Sequence, residues 1–201
     1  MKPRARGRAV FLDRDGVIVE EVNYLSSPGQ LRLIPGSAGA IARLRKAGFR
    51  AVVVSNQSAV ARGLLSLKGL GEIHRALVRL LRRRGARLDA IYFCPHHPRA
   101  GGRKGCGCRK PKTGMIEAAA RRFRLDLSRC YLVGDSTTDI RTALNAGCRP
   151  VLVRTGKAGK DGLYRAKPEK VCRDLSRAAD WILARAHRGP PSGRFCYTPS
   201  R

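Results

Sequence analysis

The chain has 201 residues, 43% of them apolar, and its 42 Lys and Arg against 14 Asp and Glu give a formal net charge of +28. Length and apolar content fit one domain with a real core and exclude a wholly disordered chain. No run of 18 apolar residues exists, which excludes a membrane-spanning helix. The charge attracts phosphorylated ligands and polyanions without specifying which, and coding bias toward arginine yields the same surplus.

Residues 1–8 read as a basic N-terminal extension without the apolar stretch of a secretory signal. Residues 9–13 are a short apolar run ending in acid, the pattern of a buried parallel strand whose end reaches a site. Helical spacing follows over 38–47, stopped by Gly48, and a β-branched strand over 51–54 runs into Ser55 and Asn56. Residues 70–84 form a helix with Leu70, Ile73, Leu77 and Leu81 inward, and 90–93 a third strand leading into a Cys/His segment. A helix over 114–123, a strand over 130–133, a short helix over 140–146, a strand over 150–153 and a last helix over about 174–186 complete the series. Residues 187–201, rich in Gly, Pro and Ser, read as a disordered tail. Alternating strands and helices predict an α/β fold with a doubly wound, Rossmann-like, mostly parallel sheet covered on both faces. Ligands bind such sheets beyond the carboxyl ends of the strands, which here carry Asp13, Ser55, Cys94 and Asp135.

The few acids are unevenly placed: Asp13 and Asp15 follow the first strand, Asp135 and Asp139 the fourth. Crowded carboxylates repel unless a cation lies between them, and a hard divalent ion such as Mg²⁺ takes oxygen ligands. An aspartate at a strand end can attack phosphorus, and an acid two residues on can exchange the proton. The seven cysteines make no disulfide framework, and Cys94, His96, Cys106 and Cys108 form a Cys₃His set suited to tetrahedral Zn²⁺. His97 is the competing ligand. His96 is preferred because Cys94-x-His96 mirrors Cys106-x-Cys108. His74 reads as a surface or boundary residue of its helix, Cys130 and Cys148 as small buried hydrophobes, and Arg82 to Arg84 as a solvated helix end.

The run Phe11-Leu12-Asp13-Arg14-Asp15-Gly16, the segment Ser55-Asn56-Gln57-Ser58, Arg109-Lys110-Pro111 and Gly134-Asp135-Ser136-Thr137-Thr138-Asp139 resemble, in order, the four motifs of the haloacid dehalogenase-like phosphatases. The resemblance implies an aspartyl-phosphate mechanism with Asp13 as nucleophile and Asp15 as general acid/base. It implies Mg²⁺ held by Asp13, Asp135 and the backbone carbonyl of Asp15, with Asp139 orienting the metal or Lys110. Ser55 would bond the transferring phosphoryl group and Lys110 neutralise it.

The Cys-Pro-His-His-Pro and Cys-x-Cys-Arg-Lys-Pro stretches narrow the resemblance to the D-glycero-D-manno-heptose 1,7-bisphosphate 7-phosphatases, with histidinol-phosphate phosphatases as near relatives. That family has no large cap domain. Its zinc loop, here 94–108, would shape the pocket, and Glu21, Val22, Asn23 and Tyr24 would meet the sugar. Asn56, Gln57, Ser58, Arg109 and Ser136 complete the implied substrate contacts, Arg109 by reaching the second phosphate. The fourth motif departs from the family pattern, with Ser136 where a lysine is common. The implied partner is a small phosphorylated sugar, with weak nonspecific polyanion binding; the protein is expected to be monomeric, cytoplasmic and without membrane attachment. Alternatives are a histidinol-phosphate phosphatase, a polynucleotide 3′-phosphatase, and a non-enzymatic zinc-containing nucleic-acid-binding protein. The last leaves Asp13, Asp15 and Asp135 unexplained.

Overall fold

The computed structural model describes residues 7–97 and 106–187. Six strands lie in one sheet: β1 (Arg8–Leu12), β2 (Phe49–Asn56), β3 (Ala90–Cys94), β4 (Tyr131–Gly134), β5 (Arg149–Val153) and β6 (Lys170–Cys172). Their order is β3-β2-β1-β4-β5-β6, and every neighbouring pair is parallel. The helices are α1 (Ser37–Lys46), the single-turn α2 (Ser58–Ala61), α3 (Leu67–Arg83), α4 (Gly114–Phe123), α5 (Thr137–Asn145) and α6 (Leu175–His187).

The twofold alternation of strand side chains divides the core into two layers. Val10 and Leu12 of β1 face α1, α3 and α6, whereas Ala9 and Phe11 face α4 and α5. On α3 the spacing of Leu70, Ile73, Leu77 and Leu81 sets four fully buried side chains on the first layer, each worth about 1.5–3 kcal/mol of apolar burial. The central strands, covered on both faces, are correspondingly rich in Val, Leu and Phe. The expected doubly wound parallel sheet is therefore present, and the described residues contain no separate cap layer.

Several boundaries differ from the sequence expectation for local reasons. β1 starts at Arg8, inside the stretch read as an extension, and pairs there with Phe49. α3 starts at Leu67 rather than 70, because the Ser66 hydroxyl caps it by accepting from the Gly69 amide at 3.0 Å. α5 starts at Thr137 rather than 140, because Ser136 and Asp139 form a capping box. β6 and α2 were not expected at all: β6 is a three-residue edge strand with two exposed residues, and α2 is a single turn, so neither carries a period. Cys130 and Cys148 are buried in the second layer, while Arg82 to Arg84 are exposed. The expected tail beyond its first residue, His187, which ends α6, most of the expected extension and the middle of the Cys/His loop lie outside the described residues.

Candidate active site

β1 is followed in the chain by its neighbour on one side, β2, while its neighbour on the other side, β4, comes much later, so strand order reverses between β1 and β4. Asp13 follows β1 and Asp135 follows β4, which puts both at this switch point, beyond the strand ends. The Asp13 amide donates to the Val133 carbonyl at 3.0 Å, locking the two ends together. Ser55, 1% exposed, lies near the end of β2 beside them.

One oxygen of each of Asp13, Asp135 and Asp139 falls within 4.8 Å of the others. Lys110, almost fully buried, serves two of the three: its Nζ is 3.0 Å from Asp13 Oδ2 and 2.6 Å from Asp139 Oδ1, and it also donates to the Val54 carbonyl at 3.1 Å. Burial alone would lower the lysine pKa, but the two carboxylates outweigh it and hold the ammonium well above its ordinary range. Asp139, wholly buried, also accepts from the Ser136 hydroxyl at 2.5 Å. The Ser136 side chain is therefore engaged in capping α5, and Asp139 orients Lys110.

Asp135 has no ion pair among the described residues. It accepts from the Lys157 amide at 2.7 Å, and burial together with the Asp13 charge pushes its carboxyl up to about 7. A cation between Asp13 and Asp135 removes that repulsion. The backbone leaves room for one: a Cβ on Gly16 or on Gly156 would lie 2.4 or 2.2 Å from Asp135 Oδ2, and both glycines have φ near +70°. An all-oxygen, anionic donor set in a space that excludes side chains fits a hard divalent ion such as Mg²⁺.

The Asp15 carboxylate is not part of that cluster. The Arg14 guanidinium grips it through Nε to Oδ1 and Nη2 to Oδ2, each at 2.9 Å, and Gln57 Nε2 adds a bond to Oδ2 at 3.1 Å. Gln57 also donates to Ser55 Oγ at 2.8 Å, tying the two motifs together. Arg14 is 1% exposed and Gln57 4%. His74, expected at a surface or boundary, is half-buried with its ring 5.3 Å from that of Phe93 and Nε2 3.5 Å from Arg14 Nη1. Burial, reinforced by the Arg14 charge, lowers its pKa to about 4. Sequence reading missed Arg14 and His74. The signal in the sequence was a lone cation between two acids, but its partner on α3 lies 60 residues away.

Asn56 bridges to the basic segment, accepting from the Lys110 amide at 3.0 Å and donating to its carbonyl at 3.2 Å. Arg109 donates to Ser58 Oγ at 3.1 Å and to the His96 carbonyl at 2.8 Å. Glu21 stands at the rim, where partial burial and then the Asp15 charge raise its pKa. Val22 packs on the core, Asn23 is exposed, and Tyr24 lies under the Arg62 guanidinium at 5.5 Å.

The side-chain ligand atoms of Cys94, His96, Cys106 and Cys108 all lie within 4.8 Å of one another. Cys94 Sγ is 3.8 Å from Cys106 Sγ and 3.2 Å from Cys108 Sγ, and His96 Nδ1 is 3.6 and 3.4 Å from the Cys94 and Cys108 sulfurs. Zn–S bonds of about 2.3 Å in a tetrahedron put ligand sulfurs about 3.8 Å apart; the Cys94–Cys106 separation meets that spacing and the Cys94–Cys108 separation is shorter, and the donor set could hold a metal ion such as Zn²⁺. His97 Nε2 instead lies 3.4 Å from Arg62 Nη2.

Comparison with known proteins gives concordant results. The HAD-hydrolase-like family model matches residues 107–178. D-glycero-beta-D-manno-heptose-1,7-bisphosphate 7-phosphatase of Bordetella bronchiseptica is 41% identical over 182 residues, covering 89% of this chain and 99% of its own. The corresponding protein of Thermosynechococcus vestitus is 44% identical over 87% of this chain and 94% of its own. A crystal structure of the B. bronchiseptica phosphatase complexed with magnesium and phosphate superposes with a TM-score of 0.78 at 40% identity, covering 89% of this chain and 99% of that one.

Proposed function

The chain belongs to the D-glycero-D-manno-heptose 1,7-bisphosphate 7-phosphatase family of haloacid dehalogenase-like hydrolases, and from that premise we propose that it removes the 7-phosphate of D-glycero-D-manno-heptose 1,7-bisphosphate through a phosphoryl–Asp13 intermediate. The observation that carries this reading is the convergence of Asp13, Asp135 and Lys110 at the strand switch point.

In the first half-reaction an Asp13 carboxylate oxygen attacks phosphorus, the ester P–O bond breaks, and Asp15 gives its proton to the departing sugar oxygen. In the second, Asp15 takes a proton from the water that attacks the phosphoryl–Asp13 bond, releasing phosphate and restoring the Asp13 carboxylate. Lys110, kept charged by Asp13 and Asp139, and the Ser55 hydroxyl hold the phosphoryl oxygens. Mg²⁺ would be held by Asp13, Asp135 and the Asp15 carbonyl and would supply charge neutralisation of the phosphate. Arg109, anchored between Ser58 and the His96 carbonyl, faces the second phosphate, an arrangement suited to its planar fork. Glu21, Val22, Asn23 and Tyr24 line the sugar side, and Asn56, Gln57 and Ser136 support the phosphate end. Zn²⁺ would be held by Cys94, His96, Cys106 and Cys108 and would pin the segment that carries Arg109. The partner is thus a small phosphorylated sugar, taken by a monomeric cytoplasmic enzyme whose surplus charge also gives weak, sequence-independent attraction to polyanions.

A substrate panel tests the assignment: heptose 1,7-bisphosphate, histidinol phosphate, fructose 1,6-bisphosphate and a 3′-phosphorylated oligonucleotide, compared by kcat/KM. The heptose bisphosphate is expected to lead by about tenfold or more, since each lost charged contact costs about 1.5–3 kcal/mol. Preference for the oligonucleotide or histidinol phosphate would overturn it.

A further inference from the structure

The catalytic roles above leave Arg14, a buried charged residue beside the site, unused. Arg14 is the largest fully buried side chain of the fold, and it lies between the two acids that follow β1. A buried guanidinium is costly unless its donors are placed. Here they are: Nε and Nη2 each meet a different oxygen of Asp15 at 2.9 Å, Nη2 also meets Gln57 Oε1 at 2.9 Å, and Nη1 faces His74 Nε2 at 3.5 Å.

We infer that Arg14, braced by Gln57 and His74, is the positioning residue that sets the carboxyl of Asp15 for proton transfer to the leaving oxygen. The inference rests on the aspartyl-phosphate reading given above. Its basis is geometric. The two parallel bonds fix the plane of the Asp15 carboxyl, which a single bond to a lysine could not do. The fork is in turn held by residues from separate elements: Gln57 just past β2 and His74 on α3, whose ring leans on Phe93 of β3. Asp15 Oδ2 takes N–H groups from both Arg14 and Gln57, whereas Oδ1 takes one, from Arg14 Nε, and retains a second lone pair to carry the proton in transit. His74 serves as an acceptor toward Arg14, since an imidazolium there would set two cations face to face. Gln57 connects the same fork to the Ser55 hydroxyl, so the proton-transfer side and the phosphate-binding side of the site share one rigid brace.

Leaving-group dependence separates this role from a purely structural one. General acid help matters for a poor alkoxide leaving group and little for an activated aryl oxide, and kcat/KM reports the step in which that bond breaks. The experiment measures kcat/KM on a sugar phosphate and on p-nitrophenyl phosphate for wild type, Asp15→Asn, Arg14→Lys and His74→Phe, with a thermal melt for each. The His74→Phe variant keeps an aromatic ring against Phe93 and so guards against loss of fold in Arg14→Lys. For Arg14→Lys the loss on the sugar phosphate is expected to exceed the loss on the aryl ester by about tenfold or more, within the range of general acid effects. For His74→Phe the same ratio is expected at about threefold, and for Asp15→Asn it is expected to be the largest. Equal losses on both esters, or no loss on either, would overturn the positioning role. A wild-type enzyme that hydrolyses neither ester would overturn the phosphatase reading itself, and the inference with it.

Discussion

In a protein of net charge +28, a buried carboxylate that keeps its own cation is informative, and Asp89 shows how one behaves outside the active site. Burial acts to raise its pKa, but the Ala51 amide at 2.9 Å and the guanidinium groups of Arg50 and Arg45 at 2.9 and 2.5 Å outweigh it, leaving the carboxyl below its ordinary range. A group depressed in the folded state contributes stability above its unfolded pKa and loses it as pH falls through the folded value. Asp89→Asn should therefore cost about 1–2 kcal/mol near neutral pH, with the cost fading below about pH 4. Urea titrations at pH 7 and pH 3 check this, and an equal cost at both would contradict it. The acids of the active site were readable in the sequence because they are scarce and sit at strand ends. Arg14 and His74 were not, because a cation between two acids does not by itself tell that it will be buried against a histidine 60 residues away.

Caps and loops decide where elements start and where the site lies. The sequence periodicity located β1, β2, α3, β3, α4 and β4 within a few residues, since each buries an apolar stripe long enough to show a period. It failed where side chains of the polar class set the boundary. Ser66 and Ser136 begin α3 and α5 earlier than the apolar residues suggest, and β6 is a half-exposed edge strand. The Cys/His pairs between β3 and α4 are marked by residue type and spacing and not by an apolar period, and Cys94, His96, Cys106 and Cys108 lie within reach of one another. Elemental analysis of the purified wild type should find about one zinc per chain, and Cys106→Ser should lose most of it and melt several degrees lower, roughly 1–2 kcal/mol for a chain of this size. Full zinc content in Cys106→Ser would remove that residue from the ligand set.

At the scale of the whole molecule, the parallel sheet gathers into one place the acids that the sequence separates by more than a hundred residues. Strand order reverses between β1 and β4, so Asp13 and Asp135 meet there, and Lys110 reaches Asp13 and Asp139 from the segment before α4. The remaining positive charge has the right sign to steer a bisphosphate toward this mouth and exceeds what one substrate needs. On the proposed mechanism Asp13 carries the phosphoryl group. Acid quenching during turnover of heptose 1,7-bisphosphate, followed by peptide mass mapping, tests it most directly. A phosphoryl group is expected on Asp13 in the wild type and none in Asp13→Asn, with kcat reduced by about 10³-fold or more. A phosphoryl group on any other residue, or an Asp13→Asn enzyme that turns over like the wild type, would contradict it.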